Sequence, residues 1–405
     1  MRIPASIPTL LLLVFGSAPA LAQQVTTTDA LSLRSTMVEL MNPLAAGPVG
    51  EAISLATALE VTTAPIGSSS GGFVFKLDPA TGLQVRTAST FGPSFAERVL
   101  TTGAGKMSVG ASLSVATYDK LGAIPLSQMQ LSSIKASSPV ISRTGNGSLV
   151  LSSETMVMTA MIGATDKLDV GVAVPMVKVK IDALSWVLRG DDVVALRAAG
   201  GGIASGLGDI AIITKYRFLR LGKGQPDPGG LAFMLTSRLP TGSRENFRGL
   251  GINRTLGSVL FSAGKGKLRP HANGGFEWWE KGVFVPVGVL STSTVEVRHQ
   301  IQYAAGAEFE AAPKLTLLVD VLGRHIRGGG RIDRVNYSVP ANIFGVDTLE
   351  SMTVTTHGIR KVSLAPGLKW NVRGSFVLAL NARIPINDNS LHDKFTPVVG
   401  LDWTF

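Results

Sequence analysis

The sequence predicts an all-β fold, an antiparallel transmembrane β-barrel of about 12 strands (range about 10–14) that follows a plug-like N-terminal segment. Three observations predict it: an export signal, long segments of alternating apolar and polar residues, and connections that are short and long in turn. The composition agrees, because only 16% of the 405 residues are charged and 45% are hydrophobic. Soluble domains usually carry about 25% charged residues.

The first element is a predicted secretory signal peptide, residues 1–22. Arg2 precedes an apolar run from Leu10 to Phe15, and Ala20-Leu21-Ala22 gives the small-x-small pattern of a cleavage site. As a helix, the run is too short to cross about 30 Å of hydrocarbon. We therefore expect cleavage after Ala22 and export of the mature chain.

Net charge and cysteine content narrow the function classes. The 38 Lys and Arg residues exceed the 28 Asp and Glu residues, which gives a net charge of +10. Such an excess suits nucleic acid, anionic lipid or anionic solutes, but export makes a nucleic-acid partner unexpected. The absence of cysteine excludes disulfides, thiolate metal sites and cysteine nucleophiles.

Residues 23–105 do not follow the strand pattern and are predicted to be a plug in the lumen or a periplasmic segment. Local patterns predict a short helix over 30–41, strands over 52–63 and 72–78, and a helix that starts near Pro93. An extra hairpin here would instead raise the strand count to about 14.

Residues 106–405 are predicted to form the barrel. In segment 295–309, most of the alternate residues from Val295 to Phe309 are apolar, and the residues between them are polar or small. The predicted strands cover residues 106–118, 149–162, 167–181, 206–219, 230–240, 253–264, 267–281, 295–310, 314–327, 356–371, 374–386 and 394–405.

These strands are near the 9–11 residues that a tilted strand needs to cross a bilayer, and longer than most strands of soluble sheets. Tight turns near 163–166, 264–266, 311–313 and 371–373 alternate with long polar or Gly-rich loops at about 182–205, 241–252, 282–294, 327–355 and 387–394. Short turns on one side and long loops on the other are typical of outer-membrane barrels. Lipid offers no hydrogen-bond partners, so such a sheet must close.

The final strand carries a more specific pattern. Val399, Leu401, Trp403 and Phe405 alternate up to the C-terminus. This ending resembles the terminal strand of bacterial outer-membrane proteins. The resemblance implies an outer-membrane location, contact with outer-membrane lipid, and recognition of this strand by the barrel-assembly machinery.

The alternation also predicts which charged residues face the lumen, because Arg or Lys on the lipid face costs about 2–4 kcal/mol at mid-bilayer. The lumen-facing candidates are Asp209, Lys215, Arg217, Arg238, Arg269, His271, Glu277, Arg298, Arg324 and Arg383. Two interpretations stay open. The basic residues could favour anionic solutes, or the charges could pair across strands and fill a narrow barrel.

No motif predicts catalysis, a metal site or a bound cofactor. The five histidines, His271, His299, His325, His357 and His392, lack metal-ligand spacing. A Gly-x-Ser-x-Gly match, Gly67-Ser68-Ser69-Ser70-Gly71, lies in a Gly- and Ser-rich stretch predicted as a flexible turn and not as the strand-to-helix elbow of a hydrolase, and there is no compact Ser-His arrangement. The expectation is therefore a protein that is not an enzyme and that needs no cofactor.

Three stretches resemble the outer-membrane transporters grouped as the MetA-pathway-of-phenol-degradation family: FGPSFAER at 91–98, GLGDIAIITKYRF at 206–218 and LAFMLTSRLPTG at 231–242. That family is similar in outline to the long-chain fatty-acid channels. The resemblance implies a channel or transporter for passive uptake of small hydrophobic or aromatic molecules, including anionic ones. The alternative is a structural or surface-interaction barrel with a closed lumen.

Overall fold

A computed structural model describes residues 32–41, 47–63, 72, 74–77, 84–86, 88–134, 141–189, 192–223, 226–264, 266–286, 293–338, 348–387 and 389–405. The predicted signal peptide, residues 1–22, lies outside the described residues. Within those ranges, no helix has both the length and the apolar character to cross a membrane.

Twelve antiparallel strands form a closed barrel, which confirms the predicted fold class and strand number. In chain order they are β1 (Met107–Leu121), β2 (Ile141–Gly163), β3 (Leu168–Arg189), β4 (Ala211–Arg220), β5 (Gly229–Arg238), β6 (Arg254–Ala263), β7 (Leu268–Trp279), β8 (Gln300–Ala312), β9 (Leu315–Ile326), β10 (Ile359–Arg373), β11 (Phe376–Pro385) and β12 (Thr396–Thr404).

The barrel closes because β1 pairs with β2 on one side and with β12 on the other. Met107 and Phe405 exchange two backbone hydrogen bonds of 2.9 Å at this seam. Closure gives every barrel strand two neighbours, so no open edge is presented to the surroundings.

The outer face of the barrel is apolar. Large side chains on alternate positions of all twelve strands are exposed, and they include aromatic rings near strand ends. Examples on successive strands are Leu113, Ile162, Val170, Tyr216, Phe233, Val259, Trp278, Ile301, Val319, Trp370, Leu380 and Trp403. An apolar belt of this kind matches the lipid-facing surface of a membrane barrel.

The two ends of the barrel differ. At the turn end, tight turns at 164–167, 313–314 and 374–375 join successive strands. At the loop end, β2 and β3 extend far beyond the other strands, and further strands pair with β1, β2 or β3 or with one another. These are Ile124–Pro125, Met129–Ile134, Asp192–Leu207, Val283–Pro286, Thr294–Val297, Arg331–Ser338, Thr348–Thr355 and Leu391–Asp393. The predicted loop at 182–205 is wrong, since it pairs as strand along β3.

One predicted strand, 295–310, is interrupted. His299 has a positive φ of 62°, which non-glycine residues rarely adopt. Thr294–Val297 pairs with Val283–Pro286, and β8 begins only at Gln300. The break reverses the alternation, so Val297 is fully buried whereas Ile301 is exposed.

Two helices lie at the loop end: α1 (Leu33–Met41) and α2 (Gly47–Thr62). The strand predicted over 52–63 is wrong, because this stretch belongs to α2. The helix is apolar on nearly all sides, a pattern that fits a buried helix and shows little helical periodicity. Ile53 and Leu59 are fully buried in a hydrophobic cluster with residues of the loop-end strands.

Residues 90–102, which we call the inner segment, run through the barrel interior without regular secondary structure. The helix predicted to start near Pro93 is therefore wrong. Gly92 has a positive φ of 82° next to this proline. The barrel wall also supplies the partners for the segment's amide groups, as described below. Before it, Phe75–Leu77 pairs with Gln84–Arg86 in a short hairpin.

Candidate functional site

The inner segment is bound to the barrel wall through its backbone. It lacks the ladder of a helix or sheet, so its N–H groups need other acceptors inside the barrel. Side chains of five strands accept them: Phe91 donates to Thr316 (3.1 Å), Gly92 to Glu308 (3.0 Å), Phe95 to Asp320 (3.2 Å), Glu97 to Asn273 (2.6 Å), Val99 to Ser262 (3.1 Å) and Thr102 to Asp169 (3.0 Å).

The carbonyl groups of the segment are also bound. The Lys369 ammonium group donates to the carbonyl of Pro93 at 2.8 Å, and the Asn273 amide donates to the carbonyl of Glu97 at 2.8 Å. The stretch FGPSFAER, quoted above for its family resemblance, is therefore the part of the chain that crosses the lumen.

Lys215 joins the segment to the wall by charge. Its ammonium nitrogen lies 3.6 Å from Asp169 on the neighbouring strand and 3.8 Å from Glu97 of the inner segment. Lys215 and Asp169 are fully buried. Such a pair is worth most where it also satisfies hydrogen bonds, and Asp169 does so by accepting from Thr102.

His271 extends the same wall network. Its Nε2 lies 2.6 Å from Asp320, and its Nδ1 lies 3.7 Å from Glu308. Both carboxylates also accept inner-segment N–H groups, from Phe95 and Gly92 respectively. His271 thus positions two carboxylates that accept hydrogen bonds from the inner segment. In the described part of the chain, no group of three or more His, Asp or Glu residues is placed to hold a metal ion.

A second network lies nearer the loop end. Glu277 contacts Arg238 at 3.5 Å and Arg254 at 3.4 Å, and Arg254 also reaches Asp209 at 3.1 Å. Arg254 further donates to the carbonyl of Thr62 at 3.4 Å, at the C-terminus of α2. A cation there complements the negative end of the helix dipole.

A third network lies at the turn end, around Asp227 in the connection between β4 and β5. Arg217 forms two hydrogen bonds of 2.8 and 2.7 Å with Asp227, and Arg269 donates to the Asp227 carbonyl. Burial raises the pKa of the Asp227 carboxyl, but the bonds from Arg217 and Gly229 outweigh this effect and lower it. Arg217 and Arg269 therefore act here as structural partners of a turn.

The fourth cluster surrounds Glu60, on the last turn of α2. Its carboxylate lies 2.6 Å from Lys361 and 3.0 Å from Arg383, and it also pairs with Arg324. Burial raises the pKa of Glu60, but attraction by Lys361, Arg324 and Arg383 outweighs it and lowers the pKa far below the usual range. One buried carboxylate thus faces three cations.

A cavity of about 160 Å³ lies in the lumen between these clusters. Thr63 borders it beside α2, and Phe95 and Glu97 border it on the inner segment. The wall contributes apolar side chains, mainly from β4 to β6, and cations, mainly from β9 to β11. These are Ile213, Met234, Leu256, Leu260 and Leu322, and Arg238, Arg324, Lys361 and Arg383. The cavity is therefore amphipathic and positively charged.

The structure brings the ten predicted residues into different clusters. Lys215 and His271 hold the inner segment, while Arg238, Arg324 and Arg383 line the cavity. Arg298 lies at the loop end beside Glu296, at 3.6 Å, and it is part-exposed. The break at His299 removes it from the strand pattern. The remaining predicted residues, Asp209, Arg217, Arg269 and Glu277, belong to the networks described above.

Sequence analysis missed several residues of these clusters. Asp169, Lys361 and Lys369 occupy inward positions that strand alternation alone could have found, since each lies beside outward apolar residues. Glu60 gave no such signal, because its stretch was predicted as a strand outside the barrel.

No family model matches the sequence, and no curated protein matches it. Solved structures share its barrel architecture at low sequence identity. An outer membrane channel from Pseudomonas putida F1 is 12% identical, with a TM-score of 0.48 over 76% of this chain and 98% of that one. The toluene transporter TbuX of Ralstonia pickettii is 14% identical, with a TM-score of 0.33 over 75% and 90%. A FadL homologue of Pseudomonas aeruginosa is 9% identical, with a TM-score of 0.31 over 85% and 98%.

Proposed function

We propose that this chain is an outer-membrane channel or transporter for passive uptake of small hydrophobic or aromatic molecules, including anionic ones. The observation that carries the proposal is the amphipathic cavity inside a closed barrel whose outer face is apolar. A cavity of about 150 Å³ accommodates a benzene ring in a well-studied protein core. The lumen cavity, about 160 Å³, is of that size.

The cationic wall supports the inclusion of anions. Arg238, Arg324, Lys361 and Arg383 all border the cavity, and Glu97 is the acidic residue among its lining. A cleft lined by one sign of charge raises the local concentration of solutes of the opposite sign. Apolar side chains on the other wall suit the uncharged part of such a solute.

In this proposal the chain is organised as predicted from sequence. Residues 1–22 are cleaved after export, residues 23–105 form the plug, and residues 106–405 form the barrel in the outer membrane. The barrel-assembly machinery recognises the last strand, which ends at Phe405. The resemblance of FGPSFAER and the two β-strand motifs to the MetA-pathway family supports the same function.

Passage requires the inner segment to move, because it spans the lumen between the cavity and the turn end. Its hydrogen bonds to the wall also support the alternative, a structural or surface-interaction barrel whose lumen stays closed. The two functions differ in whether the segment ever leaves the wall.

A cross-link decides between them. Ser94 Oγ lies 2.6 Å from Asn381 Oδ1, and the chain has no native cysteine. We would substitute Ser94→Cys and Asn381→Cys and join the thiols with a short reducible linker. Benzenesulfonate efflux from liposomes, measured before and after reduction, reports passage because this anion does not cross lipid unaided. A transporter gives efflux in the wild type and the reduced variant and little in the cross-linked form. No efflux from the wild type would leave the closed barrel as the function.

A further inference from the structure

We propose that Arg324, Lys361 and Arg383 form a binding site for the carboxylate of a small amphipathic solute, and that Glu60 occupies this site in the resting barrel. The inference rests on the proposed transport function, because the solute reaches the site through the lumen. It adds the substrate class, a carboxylate on a ring or short apolar chain, and the group with which that substrate competes.

The geometry around Glu60 is that of a bound carboxylate. One oxygen contacts Lys361 at 2.6 Å and Arg383 at 3.0 Å, and the other accepts from Arg324. The Glu60 side chain is 1% exposed. Hydrogen bonds between ionised groups are about twice as strong as neutral ones, so both oxygens are held in a site that any carboxylate could fill.

The three cations lie on adjacent strands, where an anion between them offsets their mutual repulsion. Arg324 and Lys361 lie directly opposite each other on β9 and β10, and Arg383 projects from β11, the next strand. Like charges at opposite positions of paired strands are destabilising. Glu60 contacts all three cations, and Asp393 adds a second, more distant negative charge near Arg383, so the formal charges of these five groups sum to +1.

The same three cations border the lumen cavity. A solute whose carboxylate replaced Glu60 would place its apolar part against Met234, Leu256 and Leu260 on the opposite wall. Glu60 projects from α2, whereas these apolar side chains line the cavity from β5 and β6. The cavity therefore supplies what Glu60 does not use, namely contact for a hydrophobic body.

Replacement of the Glu60 carboxylate by the carboxylate of a solute avoids the main free-energy cost of releasing α2. Withdrawal of Glu60 alone would leave three part-buried cations without their anion, which is strongly unfavourable. A solute that binds the cations only when Glu60 has left shifts the equilibrium toward undocked α2. Substrate binding and release of the helix are then one event.

Binding measurements on the purified mature chain in detergent test the site directly. We would titrate benzoate, and benzamide as its neutral counterpart of the same shape, into the wild type and Glu60→Gln. Because Glu60 competes with the solute, its neutral replacement should raise benzoate affinity about tenfold or more and leave benzamide affinity unchanged. Equal benzoate affinity in the two proteins, or an equal gain for benzamide, would overturn the inference.

Glu245→Gln is the matched control. Glu245 also pairs with an arginine, Arg34 on α1, at 3.0 Å, but it lies outside the cavity and is half-exposed. This variant should bind benzoate as the wild type does. A gain equal to that of Glu60→Gln would indicate a general charge effect and would count against a specific site.

Hydrogen exchange in the wild type provides a readout that needs no variant. Benzoate should speed exchange of the α2 amides around Glu60, and benzamide should not; no difference between the two would overturn the inference. The benzenesulfonate efflux assay keeps the two proposals apart. Efflux without a Glu60-dependent gain in benzoate affinity refutes the site and leaves transport intact, whereas the gain without efflux supports the site and refutes transport.

Discussion

His271 and Asp320 form a 2.6 Å contact across an intervening strand, over the position of Gly306. Gly306 lies opposite both residues in the strand register, and a methyl group built on it would lie 2.8 Å from His271 Nε2 and in closer collision with Asp320 and the Val319 carbonyl. The glycine thus leaves room for the pair, and Asp320 in turn accepts the N–H of Phe95.

Gly306→Ala should therefore loosen the inner segment as well as the wall. We expect a loss of about 1–3 kcal/mol in the free energy of unfolding, the usual cost of overpacking. We also expect faster benzenesulfonate efflux because Asp320 is displaced from Phe95. Gly274→Ala is the control, since nothing lies within 4 Å of a methyl group built there. Equal effects of the two substitutions on urea unfolding would contradict this explanation.

The buried lysine gives a second prediction. Lys215→Met leaves Asp169 without the cation that lies 3.6 Å away in a fully buried site. Removal of one partner of a buried ion pair typically costs about 3–5 kcal/mol. Lys178→Met is the matched control, because Lys178 pairs with Glu154 at 3.1 Å where both side chains are largely exposed.

Exposed pairs contribute about 0–1 kcal/mol, so Lys178→Met should hardly change the urea midpoint. Asp169→Asn in the Lys215→Met background should recover part of the loss, because it removes the uncompensated charge. A loss for Lys215→Met no larger than that for Lys178→Met would show that the Lys215 contacts are not stabilising.

The barrel could be predicted from sequence because the alternation of apolar and polar residues is visible within each strand. Each strand shows its two faces in its own alternation, so the number of barrel strands could be predicted from the pattern. The prediction of a continuous strand was wrong where a backbone break resets the alternation, as at His299. The strand prediction was also wrong where the strand pairing extends beyond the apolar belt, as in β2 and β3.

The interior could not be predicted because its contacts are long-range. The inner segment has no periodicity, and most of its backbone partners lie on strands more than a hundred residues away, such as Thr316 for Phe91. Glu60 meets its cations only because α2 ends inside the barrel. A short apolar stretch has nearly the same sequence pattern whether it forms a buried helix or a strand. The sequence therefore predicted neither α2 nor the cluster of cations around Glu60.

Protonation of Glu60 at low pH should release α2 from its contacts with the barrel wall. The pKa of Glu60 is lowered in the folded chain relative to its usual 4.5. A lowered carboxyl pKa stabilises the docked state fully above the usual value and loses that contribution as the pH falls below it. Exchange of the α2 amides, relative to the intrinsic rate of an unfolded amide at each pH, should therefore stay slow from pH 8 to about 5 and become faster below about 4.5.

Other carboxyl groups titrate in the same window, so the measurement compares the wild type with Glu60→Gln. The variant lacks the ionisable group and should show faster exchange at neutral pH and a smaller rise in acid. Parallel curves for the two proteins would mean that the Glu60 cluster does not hold the helix.

The apolar belt gives the last prediction, for which two adjacent tryptophans provide the comparison. Trp278 is 48% exposed on the outer face, whereas its neighbour Trp279 is fully buried and donates to Glu277 at 2.9 Å. Brominated acyl chains quench only tryptophans that they touch. In vesicles of brominated lipid, Trp278→Phe should remove part of the quenched fluorescence, because its ring faces the acyl region or its border. Trp279→Phe should leave the quenched component unchanged and lower only the residual emission. If quenching depended on Trp279 and not on Trp278, the assignment of the outer face to lipid would be wrong.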